Sequence, residues 1–153
     1  PQRPPRPPPP RPKQRVYVLD ALNILKHRNA GEVNDGSLRW AYLHAAGKHF
    51  RDLSHTVFFF FPLLSRDHGT EIAELRKSFG PQCIVTTPSG ANDDKFMWTY
   101  AKLDRPSVRV RIVSNDLFRE FVTSGTLEKG EVPELTVKYA FAGVVFVPED
   151  LAK

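Results

Sequence analysis

Two rhythms of apolar residues alternate along the chain. Val16-Tyr17-Val18-Leu19 is a short β-type run that stops at Asp20. Over 34–50 the spacing turns helical, with Leu38, Ala41, Tyr42, Ala45 and Ala46 recurring behind Asp35 or Ser37 as a cap. Residues 56–61 are apolar on both faces, the pattern of a central parallel strand covered by helices on each side. A second helix is predicted over 70–79, with Ile72, Leu75 and Phe79 inward and Gly80-Pro81 as its stop. A third strand follows over 82–86. A third helix over 93–103 pairs Phe96 with Tyr100 and Met97 with Ala101. A fourth strand spans 108–114, a short helix runs from 116 to about 122, and late strands over 135–141 and 144–147 flank Gly143.

Strands alternating with helices predict an α/β fold in three layers, with a mainly parallel central sheet joined by right-handed crossovers. Sites in such sheets form beyond the carboxyl ends of the strands. The acids fall there. Asp20 ends the first strand, Asp93 and Asp94 open the helix after the third, and Asp116 follows the fourth. Glu120 lies one helical turn beyond Asp116, on the same predicted face.

This pattern puts five carboxylates and Asn23 on one rim, where no histidine or cysteine has a comparable place. Oxygen ligands without nitrogen or sulfur select hard cations, Mg²⁺ or Mn²⁺. Without a cation the acids would raise one another's pKa. With one, the site can polarise a phosphate and activate a water. The amide of Asn23 is placed to orient a ligand or a water. The competing reading is capping, since Asp93 and Asp116 stand where N-caps belong and helix N-termini attract acids. For any single acid both readings stay open. All five on one sheet edge favours the metal.

Three segments carry a resemblance. Val18-Leu19-Asp20-Ala21-Leu22-Asn23 looks like the Asp-Gly-x-Asn opening of the PIN/NYN metallonucleases. Thr87-Pro88-Ser89-Gly90-Ala91-Asn92-Asp93-Asp94, continuing through Trp98-Thr99-Tyr100-Ala101, resembles the double-aspartate segment of protein-only RNase P. Ser114-Asn115-Asp116-Leu117-Phe118-Arg119-Glu120 resembles the third motif of that family, Asn-Asp-x-x-Arg-Asp. Order and spacing agree over about residues 16–148, and the Regnase-type NYN ribonucleases match less closely. The resemblance implies a Rossmann-like PIN/NYN domain and an endoribonuclease dependent on Mg²⁺ or Mn²⁺. Asp20, Asp93, Asp94 and Asp116 would hold metal, with Asn23 and Glu120 in support. The chain departs from the pattern at Ala21 (glycine in the family), at the bulky Leu22, at Glu120 (aspartate) and at Phe121 (often histidine). The family's structural zinc site and its RNA-binding helical repeats have no counterpart.

Charge changes the picture of the partners. The formal charge is +5, from 22 Lys+Arg and 17 Asp+Glu. Five cations, Arg3, Arg6, Arg11, Lys13 and Arg15, lie in the first 15 residues with no acid, so residues 16–153 hold 17 bases against 17 acids. The same segment holds 8 of the 14 prolines. Residues 1–15 therefore read as a Pro/Arg-rich extended arm and 16–153 as one domain. The arm is read either as a solvated tether or, the expectation adopted, as a grip on RNA phosphates or on other protein subunits that order it.

The remaining residues narrow the classes. The single cysteine, Cys83, excludes an internal disulfide and a Cys-rich zinc site, and no apolar run reaches membrane-spanning length. His27, His44, His49, His55 and His68 show no metal spacing. Arg119 is read as pairing with Glu120 or Asp116, or as holding a phosphate. Lys95 is a rim lysine within reach of an RNA backbone. Arg109 and Arg111 make one face of the fourth strand basic, as a solvated strand end or as a face meeting RNA or protein. Trp40, Trp98 and Phe58 to Phe61 are read as core. Three functions follow: a metal-dependent endoribonuclease, a nuclease-fold structural or assembly subunit of a large ribonucleoprotein such as a mitochondrial ribosome, and a regulatory nuclease held by a partner. The expected location is intracellular, with the mitochondrion as the candidate.

Overall fold

The computed structural model describes residues 2–8, 14–29, 36–62, 68–88, 91–103 and 105–149. Arg11, Lys13, Asp35, Ser89 and Gly90 lie outside these residues, as does the side chain of Ser37, so the cap expected there is not among them. In chain order the elements are β1 (Gln14–Asp20), α1 (Ala21–Leu25), α2 (Gly36–Asp52), β2 (Thr56–Phe61), α3 (Gly69–Phe79), β3 (Ile84–Thr86), α4 (Asp93–Lys102), β4 (Val108–Val113), α5 (Arg119–Thr123), α6 (Glu131–Leu135), β5 (Thr136–Val137), β6 (Tyr139–Ala142) and β7 (Val145–Pro148).

Five strands form one parallel sheet in the order β3-β2-β1-β4-β5, and β6 pairs with β7 as a separate antiparallel hairpin. β1 is central, with Val18 beside Phe58 on one neighbour and Ile112 on the other. Because side chains alternate along a strand, β1 feeds both faces. Tyr17 and Leu19 pack with Tyr42, Leu43 and Phe50 of α2, with Ile72 and Leu75 of α3, and with Phe141 and Phe146 of the hairpin. Val16 and Val18 pack on the other side with Met97, Trp98 and Ala101 of α4 and with Phe118, Leu127 and Val132. This is the three-layer Rossmann-like architecture, with helices on both faces of a parallel sheet.

Two glycines have backbone reasons. Gly80 closes α3 at φ 100, a conformation that a side chain disfavours, and Gly143 turns the β6–β7 hairpin at φ 62. Gly47 has a packing reason, since a Cβ there would run into the rings of Phe59 and Phe79. Cys83 is buried just before β3, its thiol facing the Leu75 carbonyl at 3.7 Å, and burial pushes that thiol's pKa up. Among the described residues no helix is long and apolar enough to cross a membrane.

The structure departs from the sequence pattern in four places. β1 begins at Gln14, so Gln14 and Arg15 belong to the sheet, while residues 2–8 are exposed without regular structure. α1 and α6 were not anticipated. The stretch 135–141 is not one strand: it leaves α6, pairs briefly with β4 as β5, and crosses at Lys138 into β6. The helix expected from Asp116 starts only at Arg119, because Phe118 adopts a left-handed conformation (φ 50) that interrupts it.

Candidate functional site

A cavity of about 300 Å³ opens at the carboxyl ends of β1 and β2 and beside the segments that follow β3 and β4. It is lined by Asp20, Asn23, Lys26, Asp93, Asp94 and Asp116, with Leu22, Phe60, Phe61, Pro62, Thr87, Asn92 and Met97 completing the wall. Each acid arrives from a different part of the topology. The parallel sheet brings the end of β1 beside the end of β4, and the chain leaving β3 turns into α4 over the same edge.

The acids are not there as caps. The N-cap of α4 is Asn92, whose Oδ1 accepts the Lys95 N–H at 2.9 Å. Asp93 and Asp94 therefore sit in the first turn without a capping duty, and the capping reading left open for Asp93 does not hold. Asp116 does not cap α5 either. Its Oδ1 accepts the Phe118 N–H at 2.8 Å, a tight local turn that leaves its other carboxylate oxygen available.

Ser114 ties two of the acids together. Its fully buried hydroxyl donates to Asp20 Oδ2 at 2.9 Å and accepts the Asp116 N–H at 3.1 Å. Asp20 is pushed up to about 6, first by burial. The carboxylates of Asp94 and Asp116 push the same way, while the Ser114 hydroxyl and the Asn23 backbone oppose them. Burial also raises the Asp94 carboxyl, reinforced by Asp116, Asp93 and Glu120 and opposed by Lys26. The acids are thus close enough to feel one another, and the cavity disfavours their joint ionisation.

Asn23 is held rather than free to swing. Its Oδ1 accepts the Asn115 N–H at 3.0 Å and the Tyr139 hydroxyl at 2.7 Å. Asn115 in turn grips the β6 backbone with its side chain, donating to the Tyr139 carbonyl and accepting the Tyr139 N–H, both at 2.9 Å. The amide nitrogen of Asn23 is the end left for the cavity.

Six of the predicted residues are accounted for here or next door. Asp20, Asn23, Asp93, Asp94 and Asp116 share the cavity. Glu120 does not, because α5 starts late and turns it away. It lines an adjoining cavity of about 380 Å³ with Arg119, Phe121, Asp94 and Asp116. Arg119 is exposed there and joins neither ion pair found among the described residues, Arg51–Asp52 and Lys102–Glu131. Lys95 is exposed outside the cavity wall. Arg3 and Arg6 are exposed in the segment 2–8, and Arg15 stands at the opposite end of β1. Two residues were missed. Lys26 faces Asp94 from the end of α1, a helix too short to show in the pattern. Tyr139 reaches the site from the hairpin, which no local signal could connect to Asn23.

All acidic donors at the cavity are carboxylate oxygens, which suits a hard divalent cation. Among the described residues no three of His, Cys, Asp and Glu are gathered tightly enough to hold an ion by themselves. Mg²⁺ needs no such cage, since it commonly takes one or two carboxylates and keeps waters or phosphate oxygens. The donor set therefore fits such an ion in an open site.

No family model and no curated protein matches this chain. Two solved structures share its fold, both of the nuclear RNase P 2 (PRORP2) of Arabidopsis thaliana, described as proteinaceous or protein-only. One aligns with a TM-score of 0.59 at 20% identity over 88% of this chain and 29% of that one. The other gives 0.58, 21%, 87% and 29%. The chain thus spans less than a third of the PRORP2 length, and at this identity the likeness is one of fold.

Proposed function

We propose that this domain is a divalent-metal-dependent endoribonuclease that carries out RNA processing of the protein-only RNase P type. The observation that supports it most is the gathering of Asp20, Asp94 and Asp116, from three separate segments, around one cavity, where Asp94 and Asp116 reinforce the upward shift of the Asp20 carboxyl and Asp116 that of Asp94. None of the three caps a helix with its side chain, so capping does not account for their gathering. The PRORP2 fold likeness supports the same reading.

In this reading Asp20, Asp94 and Asp116 hold Mg²⁺ or Mn²⁺, with Asp93 at the rim. The ion, when bound, supplies charge to polarise a phosphodiester and to lower the pKa of a water. Ser114 fixes the Asp20 carboxylate, and Asn23, locked by Asn115 and Tyr139, turns its amide to orient a ligand. Lys26 attracts the phosphate to a cavity that would otherwise repel it. Glu120 and Arg119 flank the exit, where Arg119 can hold a neighbouring phosphate.

The test is cleavage of single-stranded and precursor RNAs with Mg²⁺ or Mn²⁺. Activity that disappears in EDTA and in Asp94→Asn is expected. No cleavage of any RNA by the unmodified chain, or unchanged cleavage by Asp94→Asn, would overturn the reading.

A second reading has its own support. The outward residues of the hairpin, Val144, Val145 and Val147, are exposed beside Ala140 and Ala142, where an isolated ribbon would be polar. An apolar face favours a subunit docked in a larger assembly, such as a mitochondrial ribonucleoprotein, and Leu22 at the cavity wall narrows the metal site. Co-purification with a ribosomal particle, without metal-dependent cleavage, would decide for it.

A further inference from the structure

The end of the sheet opposite the acidic cavity carries the reverse charge. Arg15 of β1 stands directly beside Arg109 of β4 in the parallel register, with Arg111 two residues along the same face. Like charges directly opposite on neighbouring strands oppose the pairing. Yet none of these arginines belongs to an ion pair found among the described residues. Arg15 and Arg109 open onto a surface cavity of about 850 Å³, together with Lys102 and Arg105. Arg105 stacks on Tyr100 at 4.3 Å, which leaves the guanidinium held in a fixed plane. The acids at this cavity are Glu131, already paired with Lys102 at 3.0 Å, and Glu134.

The helix α4 joins the two ends. It opens at Asp93 and Asp94 on the acidic cavity and closes at Lys102 on the basic one.

We infer that the Arg15–Arg109 end of the sheet is a second nucleic-acid site, whose cavity edge, shared with Lys102 and Arg105, holds the phosphate backbone of an RNA strand. Unpaired guanidiniums suit phosphate, which they grip as a fork, and an acidic cavity needs such a grip elsewhere on the same surface. The basic end does not rest on the reading of the acidic cavity as the cleavage site.

The test measures binding of the full chain to oligouridylate RNAs of 4 and 20 nucleotides in EDTA, where metal-dependent cleavage is silent. The variant carries Arg15→Gln, Arg105→Gln and Arg109→Gln, with its fold checked by circular dichroism. Expected is at least about ten-fold weaker binding of the 20-mer at 0.1 M salt. The slope of log K against log salt should fall by about 2, three contacts at about 0.7 each. The 4-mer should respond less. Unchanged affinity and slope in the folded variant would overturn the inference, as would equal competition by polyglutamate. Should the variant unfold, photocrosslinking of the 20-mer to the unmodified chain decides. Crosslinks within 100–111 support the site, and crosslinks confined to 2–8 or to the acidic rim refute it. A cavity without nuclease activity would leave the binding result intact, so the two readings fail separately.

Discussion

The Ser114 hydroxyl donates to Asp20 Oδ2 at 2.9 Å, and this bond fastens the end of β4 to the end of β1 at the mouth of the acidic cavity. It favours the ionised carboxylate against the burial that opposes it. Ser114→Ala removes that support and leaves the Asp116 N–H without its acceptor. The expected loss is about 1–2 kcal/mol of stability. Titrated by Mn²⁺ binding, the carboxylate should also demand a higher pH than in the unmodified chain. A melting curve with a pH series of metal titrations reads both.

Asp20 itself makes stability pH-dependent. Its folded pKa of about 6 lies above the ordinary value of 3.8, so the folded state holds this proton more tightly than the unfolded chain. The stabilisation is fully present below about 4 and is lost as pH rises through about 6. Roughly two units correspond to at most about 3 kcal/mol. Asp20→Asn cannot ionise and should flatten that part of the profile measured by urea unfolding without metal. Saturating Mg²⁺ should oppose the loss in the unmodified chain, because a ligand that binds only the folded, ionised site stabilises it.

Lys26 offers a test with opposite signs. It favours the Asp94 anion and is the cation lining the acidic cavity among the described residues. Lys26→Met should strengthen Mn²⁺ binding at neutral pH and weaken RNA binding at the same site, each by about 1 kcal/mol or less for an exposed charge. Calorimetric metal titration and the KM for RNA cleavage separate the two effects. Movement of both in the same direction would remove Lys26 from the site.

The sheet was legible because its strands obey one rule. In 56–61 both faces are apolar, and β2 forms there because helices cover both. Trp98 reads correctly as core, at 3% exposure, for the same reason of helical spacing with Met97 and Ala101. The site's acids were legible through strand ends. What failed was local and short. α1 has five residues and buries only Ala21 and Ile24, which is too little pattern to detect. α6 contains Pro133 in its first turn, where proline is tolerated although it reads as a breaker. Phe118 takes a left-handed backbone while its ring packs at 5.1 Å against Trp98, and tertiary burial overrides the local preference. Tyr139 lies 116 residues from Asn23, and only the fold makes them neighbours.

The packing between α2 and β2 depends on a missing side chain. A Cβ on Gly47 would lie 2.5 Å from Phe59 Cζ and 2.9 Å from Phe79 Cζ. Phe59 is fully buried, so its ring has little room to retreat. Gly47→Ala gains helix propensity of up to about 1 kcal/mol, yet overpacking at such a contact costs about 1–3 kcal/mol. With the full propensity gain offset, a net loss of stability of up to about 2 kcal/mol is expected by chemical unfolding. A more stable variant would mean that Phe59 and Phe79 repack freely.

Where the arm is cut should matter more than how much of it is removed. Gln14 is already built into the sheet: its N–H donates to the Ser107 carbonyl at 2.9 Å and its side-chain amide to Thr56 Oγ1 at 2.7 Å. Arg15 follows in register with Arg109. Deleting residues 1–13 removes Arg3, Arg6, Arg11 and Lys13 but leaves β1 whole, so the melting temperature should stay within a few degrees. Deleting 1–15 also takes two strand residues and their hydrogen bonds, at about 1–3 kcal/mol, and exposes the buried edge of Val16. For RNA binding the order changes. The shorter deletion should lower the salt slope by up to about 3, four single-strand contacts at about 0.7 each, and the longer one by about one contact more. Affinity and slope that survive the 1–13 deletion would take the arm out of RNA binding and leave the folded surface to carry it.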